Sequence, residues 1–402
     1  MALFDKNDEG VFLMPGEDVR RPKSMRVLIL SGLIITLLVI GFANLYSASS
    51  GLPYFTKQLR NLVVIVPAFL LFTFFIPIRK INSYAWAIYG SVVLALIVVI
   101  VLGKVAGGAQ RWISLGPIGF QPSEFAKLAV AIITAHFFSA QRISVAYKIR
   151  DLLPIITTVG LVFVLIFLQP DFGTAGICLM IFLSQLYFVR IHMRSIMLVG
   201  ILSPVVAVLG WTLALRPYQK MRILNLFDPN LDPQNTGYNS LQSLIAIGSG
   251  SAFGKGFMNG TQAQLKFLPE RHTDFVFSVF AEEHGFWGGA IVFAMFLSLT
   301  YVALDIARQS KDTFCAMLAI GIAAFLFFEF FINIAMVLGI FPVVGLPLPF
   351  FSYGSSSLLT VCVALGLLIS INRETHGDRD PRRMELANYT KFIGKIRIKP
   401  SK

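Results

Sequence analysis

"TFCAMLAIGIAAFLFFEFFINIAMVLG", residues 313–339, runs for 27 positions with a single charged side chain, Glu329. As a helix it would be about 40 Å long at 1.5 Å per residue, more than the ~30 Å hydrocarbon core of a bilayer. No water inside that core can satisfy backbone N–H and C=O groups, so an uninterrupted apolar run of this length is expected to be a helix. Glu329 and Asn333 lie four residues apart on one face of it, and a buried hydrogen bond between them is the expected structural arrangement.

Nine further runs of this kind can be drawn, giving spans at about 27–46, 59–77, 83–102, 122–139, 153–169, 173–189, 194–215, 275–304, 313–339 and 351–371. The composition agrees: 56% hydrophobic and 14% charged, against roughly a quarter charged for a soluble domain. The expected fold class is an all-α polytopic membrane protein of about ten transmembrane helices. Arg20, Arg21, Lys23 and Arg26 before the first span and "SASSG" after it resemble a signal peptide. That apolar core is too long, and an uncleaved first helix is expected.

The net charge of +13 might suggest a nucleic-acid partner, but most Lys and Arg flank the spans. With the N-terminus inside, the cytoplasmic segments carry 23 Lys and Arg and the opposite side 10, so both termini are expected in the cytoplasm. This divides the chain into a cytoplasmic segment 1–26, a transmembrane domain 27–371 and a basic tail 372–402. Cys178, Cys315 and Cys362 lie inside apolar runs at no metal or disulfide spacing and read as small core residues.

Unusual residues gather on the outer side. A Pro/Gly/Asn-rich loop, 216–273, separates spans seven and eight, and loops of this length are commonly functional. A second, 103–121, holds Arg111 beside Trp112, an aromatic ring that would also suit interfacial anchoring. "GSGSAFGKG" (248–256) fails as a phosphate loop, because Ser249 stands where the first glycine belongs and Gly256 follows Lys255. In "QPSEFAKLAV" (121–130), Glu124 and Lys127 are placed to pair, either as an orienting ion pair or as part of a site. Asp171 occupies a short turn in "LQPDFGTA" (168–175), and "GLPLPFFSYGSSSLL" (345–359) enters the last span through irregular backbone with Ser352 and Tyr353.

"LPERHTDFVFSVFAEEHGFWGG" (268–289) concentrates ionisable groups at the mouth of the eighth span. Asp274 falls at the first turn of that helix, where it could serve as a cap or as chemistry. Lys266, Arg271 and His272 precede it and would attract an anionic headgroup. Glu282, about 12 Å deeper on a straight helix, would continue a polar track below.

The motifs "GAQRW", "QPSEFAKL", "QPDFGTA", "GSGSAFGKG", "FLPERHTDFVFSVFAEEHGF" and "PLPFFSYGSSS", in that order across all ten spans, resemble the SEDS (shape, elongation, division and sporulation) polymerases. The "RHTDF" motif and the loop before it resemble the RodA-like branch more than the FtsW-like one. Two positions depart from the pattern: Ser355 replaces a glycine of "SYGGSS", and His284 stands where an apolar residue is usual.

The resemblance implies a peptidoglycan glycosyltransferase of the bacterial cytoplasmic membrane. It would polymerise lipid II at the outer face for cell elongation and shape, with undecaprenyl-pyrophosphate as leaving group. It implies Asp274 as the catalytic residue and substrate binding by Arg111, Trp112, Gln121, Ser123, Glu124, Lys127, Asp171, Lys266, Arg271, His272, Thr273, Glu282, Ser352 and Tyr353. It also implies a class B penicillin-binding protein as the transpeptidase partner, among other elongation-complex membrane proteins. One base and a basic rim suit a pyrophosphate donor better than the two carboxylates of a glycoside hydrolase, and predict inversion. A divalent cation (Mg or Mn) could assist, although no dedicated metal motif is present. A lipid II flippase and a non-catalytic scaffold remain the alternative readings.

Overall fold

The structure, a computed structural model, describes residues 23–49, 52–106, 109–115, 118–141, 146–228, 236–265, 267–268 and 270–377. Each expected span coincides with a helix. They begin with α1 (Lys23–Ala48) and α2 (Leu52–Leu70), which is continued by a π-helical stretch, Leu71–Phe75. After a short α3 (Ile78–Ser83) come α4 (Ala85–Leu102), α5 (Pro122–Ala140), α6 (Ile149–Leu168), α7 (Phe172–Tyr187) and α8 (Met193–Leu209). The long loop contains α9 (Pro217–Leu224), α10 (Thr236–Gly250) and α11 (Thr261–Gln264), and the chain closes with α12 (Val276–Gln309), α13 (Thr313–Val337) and α14 (Ser355–Gly377).

Among the described residues, eight helices are long and apolar enough to cross a membrane by length and composition, against the ten expected. Of the other two, α7 is 16 residues long and α5 carries Glu124 and Lys127 in its first two turns. The expected basic ends lie almost entirely in 1–22 and 378–402, outside the described residues.

Helix α13, the run quoted first, is the hub. It packs against α5, α7, α10, α12 and α14, and most of its apolar window is buried by protein. A helix apolar on all sides is expected to be surrounded in this way. At the opposite extreme, none of the apolar window of α8 is buried. Cys178, Cys315 and Cys362 are buried free thiols. At the ends of α1 and α12, the buried Arg26 guanidinium pairs with Asp305 at 2.9 Å.

Two expectations are corrected. The 103–121 connection is a small antiparallel sheet, β1 (Lys104–Ala106), β2 (Ala109–Leu115) and β3 (Ile118–Phe120), in the order β1-β2-β3. It pairs Lys104 with Trp112 and Ile113 with Phe120. And α12 is two helices rather than one straight span, broken where Gly285 adopts φ 67° and ψ −166°. Phe280 and Phe296 both lie beside Phe351, at 5.6 and 6.2 Å between ring centroids. On a straight helix those two residues would be about 24 Å apart, so the halves meet at a sharp bend. The first half, 276–284, is a short arm with Asp274 just before its start.

Candidate active site

Described residues of the 103–121, 216–275 and 338–354 connections, with the starts of α5 and α7, line a cavity of about 620 Å³. Seven of the expected site residues line it: Arg111, Trp112, Gln121, Glu124, Thr273, Asp274 and Tyr353. They come from four separate parts of the chain, and each is set by local chemistry. Pro122 opens α5 at its first turn, where its missing N–H costs nothing. The preceding Gln121 is held because its backbone N–H donates to Ser356 Oγ at 3.0 Å.

Asp171 caps α7 by accepting from Thr174 N at 3.3 Å. It also accepts from Ser123 Oγ at 3.3 Å and sits 3.8 Å from the Arg111 guanidinium. Arg111 donates from Nε to Gln169 O at 3.2 Å and from Nη2 to Pro170 O. The turn that precedes α7 therefore aims Arg111, while Asp171 and Ser123 themselves are buried behind it. Trp112 is half-buried with its ring over Gly119.

The segment carrying Asp274 is stitched to the Pro/Gly-rich loop before α14. Asn333 Nδ2 donates to Asp274 O at 2.9 Å and to Leu346 O at 2.6 Å. Ser352 Oγ donates to Thr273 O at 2.7 Å and accepts from Leu348 N at 2.8 Å, while Tyr353 N donates to His272 O at 2.9 Å. Gly345, at φ 74°, passes so close that a Cβ there would lie 3.3 Å from Asp274 Oδ2. The expected Glu329–Asn333 bond is absent, because Asn333 reaches these carbonyls and Glu329 turns to Lys127 instead.

The Asp274 side chain is partly exposed and does not cap α12, whose N-cap position is Phe275 with no side-chain bond. Its pKa is raised from 3.8 to about 6. Burial is the main cause, and the neighbouring Glu270 adds to it, while Arg222 and Arg111 pull the other way. Glu270 and Arg222 are wall residues that motif reasoning passed over. Arg222 sits on α9 near Tyr218 and Asn239. Its only sequence signal is a basic residue in the long loop, which is indistinguishable from a solvated charge.

Residues 23–377 match the model of the FtsW, RodA and SpoVE cell cycle proteins. The chain belongs to this family. It is 40% identical over 308 residues to the peptidoglycan glycosyltransferase MrdB of Escherichia coli K12, covering 74% of this chain and 80% of that one. To the peptidoglycan glycosyltransferase RodA of Treponema pallidum it is 32% identical over 356 residues, covering 71% and 82%. Among solved structures, a chain of a peptidoglycan synthase complex that coordinates polymerization and crosslinking superposes with TM-score 0.75 at 30% identity, covering 86% and 97%. The rod shape determining protein RodA of Thermus thermophilus superposes with TM-score 0.62 at 29% identity, covering 86% and 96%. The RodA-like resemblance and the multi-pass membrane fold both hold.

Within this FtsW/RodA/SpoVE member, other expected site residues lie off the cavity wall. Lys127 is fully buried between Glu124 Oε2 at 2.8 Å and Glu329 Oε1 at 2.7 Å. His272 stacks on Tyr54 with centroids 4.0 Å apart, and burial lowers its pKa, which favours the neutral ring. Arg271 is buried and outside the lining. Glu282 does not continue a polar track below Asp274; it lies on the arm before the bend at Gly285 and its carboxylate faces the 249–262 loop instead. Lys266 lies outside the described residues.

Proposed function

We propose that the cavity is where two lipid II headgroups meet, and that Asp274 is the general base joining them. The chain is a peptidoglycan glycosyltransferase that polymerises lipid II. The observation that carries the site assignment is Asp274 itself: a partly exposed carboxylate with a pKa of about 6, facing two arginines in a cavity of about 620 Å³. A base works best when its pKa lies near the operating pH. At neutral pH this carboxylate is ionised yet basic enough to take a proton.

In the reaction, the acceptor hydroxyl loses its proton to Asp274 as its oxygen bonds to the donor's anomeric carbon. The bond from that carbon to the pyrophosphate oxygen breaks, and its electron pair leaves on undecaprenyl-pyrophosphate. Attack opposite the leaving group inverts the linkage. The pyrophosphate needs positive charge rather than an acid, and Arg111 and Arg222 supply it from two walls.

Among the described residues no three His, Cys, Asp or Glu side chains gather to hold a metal. A magnesium or manganese ion accompanying the pyrophosphate would be held by the wall carboxylate Glu270 and would neutralise charge on the leaving group. The open end of the cavity is the outer face of the cytoplasmic membrane, in keeping with the Lys and Arg asymmetry. A class B penicillin-binding protein supplies crosslinking, by analogy with the synthase complex to which the fold is similar. Transport has no comparable support, since Lys127 and Glu329 are sealed in a mutual ion pair.

Purified protein given lipid II is expected to form glycan chains and release undecaprenyl-pyrophosphate; lipid movement without polymer would sink the proposal. Two substitutions read the walls. Trp112→Ala is expected to lower polymerisation while the protein still accumulates in the membrane; unchanged activity would make the ring an anchor only. Arg222→Met removes one of two charges facing the leaving group and is expected to lower kcat/KM by about 10²-fold. A change of less than about threefold would place the pyrophosphate elsewhere.

A further inference from the structure

Helix α12 is broken at Gly285, yet two carbonyls before the break and two amides after it find backbone partners. The carbonyls of Glu282 and Glu283 accept from Lys255 N at 3.1 Å and Gly256 N at 2.9 Å. The amides of Phe286 and Trp287 donate to Ser251 O at 2.9 Å and Ala252 O at 3.2 Å. A separate piece of chain, 251–256, thus completes the broken helix on both sides. The fit is close: Gly254 has φ 80°, and a Cβ there would overlap the Glu283 carbonyl. This is why "GSGSAFGKG" is glycine-rich without being a phosphate loop.

The same loop is bound by a buried charge. Glu282 is fully buried, and its Oε1 accepts from Lys255 Nζ at 2.7 Å, Thr261 Oγ1 at 3.1 Å and Gln262 N at 3.1 Å. Lys255 Nζ also donates to Thr261 Oγ1 at 2.9 Å. The arm, 276–284, is fixed elsewhere by Asn44 Nδ2 to Val276 O at 3.0 Å and by Ser47 to the Glu283 carboxylate. Without the break, the chain from the membrane crossing would continue straight and carry Asp274 about 16 Å beyond residue 285. The bend instead returns it to Asn333 and the cavity.

We infer that Lys255 and Glu282 are positioning residues for the base: their ion pair locks loop 249–262 into the helix break and so sets where the arm presents Asp274. The lock also joins two walls of the site. The loop continues back through α10 to Asn239, and the arm continues to Asp274. Neither Lys255 nor Glu282 lines the cavity, so the pair acts on geometry and not on substrate. The inference rests on Asp274 being the base, and the experiment separates the two.

Wild type, Lys255→Met, Lys255→Arg and Asp274→Asn are compared as purified full chains for initial rates of glycan formation across lipid II concentration and pH. Displacing a catalytic group by an ångström can cost about 10²-fold. Lys255→Met is therefore expected to lower kcat by about that factor with KM within about twofold. It is also expected to move the acid limb of the rate below its wild-type position, as a loosened arm hydrates Asp274. Lys255→Arg, which can re-form the pair, is expected to keep most of the rate. Amide exchange over 276–284 is expected to quicken in Lys255→Met alone.

Wild-type kcat and pH profile in Lys255→Met overturn the lock while leaving the base in place, and an equal loss in Lys255→Arg does the same. Full activity in Asp274→Asn overturns the base, and the lock's role with it. Should Lys255→Met fail to accumulate, Thr261→Val removes one bond to Glu282 and keeps the charges. A smaller fall in kcat is expected there, and no fall overturns the inference.

Discussion

Asp274→Asn is expected to insert, accumulate and still bind lipid II, yet to form glycan about 10²–10⁴-fold more slowly, because an amide cannot take the acceptor's proton. Helix capping no longer competes as an explanation, since the cap position of α12 is Phe275 and no side chain bonds there. Comparable polymer yield from Asp274→Asn and wild type would remove Asp274 from catalysis. With a pKa of about 6, the wild-type rate is expected to fall as pH drops through about 6, tracking loss of the carboxylate.

The stability consequence has the opposite sign to that of most aspartates. The folded-state pKa lies above the ordinary value of 3.8. Folding is therefore favoured by the protonated form, and that stabilisation is lost as pH rises through about 6. At pH 7 Asp274→Asn is expected to raise Tm slightly, a stability gain at a site kept for function. A lowered Tm would mean that the carboxylate holds the fold together as well.

The second large effect is structural. Lys127→Met would leave the Glu124 and Glu329 carboxylates facing one another in the core without their shared cation. Lys127 and Glu329 are both fully buried and Glu124 nearly so. Removing one partner of such a cluster typically costs about 3–5 kcal/mol, a large share of the stability of most folds. Lys127→Met is expected to accumulate poorly. Lys127→Met combined with Glu329→Gln is expected to recover part of the loss, since one uncompensated charge goes with the lysine. Full accumulation and activity of Lys127→Met alone, measured as membrane-fraction yield and glycan rate, would show that the triad carries neither stability nor positioning.

Much of this protein was readable along the chain. A run such as 313–339 has few ways to satisfy its backbone in a bilayer, so all ten expected helices appear where the apolar runs lie. The same local logic located Asp171 at a short turn, where it caps α7. The motifs with Arg111, Trp112, Gln121, Glu124, Thr273, Asp274 and Tyr353 also converge on one cavity, although they are scattered over more than 240 positions of sequence.

What the chain could not disclose were the pairings between distant segments. Glu329 looked like a partner for Asn333 because they share a helix face; three-dimensional packing instead brings Lys127 within 2.7 Å of Glu329 and frees Asn333 to hold Asp274. Arg222 carried no motif and became a wall residue only when α9 folded over the cavity. Glu282 was placed below Asp274 by treating 275–304 as one straight span, and one glycine at φ 67° separates the arm that carries both residues from the rest of that span. Helices and their ends follow from short-range hydrogen bonding and hydrophobicity, which the local sequence determines. Where a helix breaks, and which buried charge answers which, depends on groups remote in sequence that supply the missing bonds, from the 251–256 segment at the Gly285 break to Lys127 beside Glu329. Those only the tertiary structure decided.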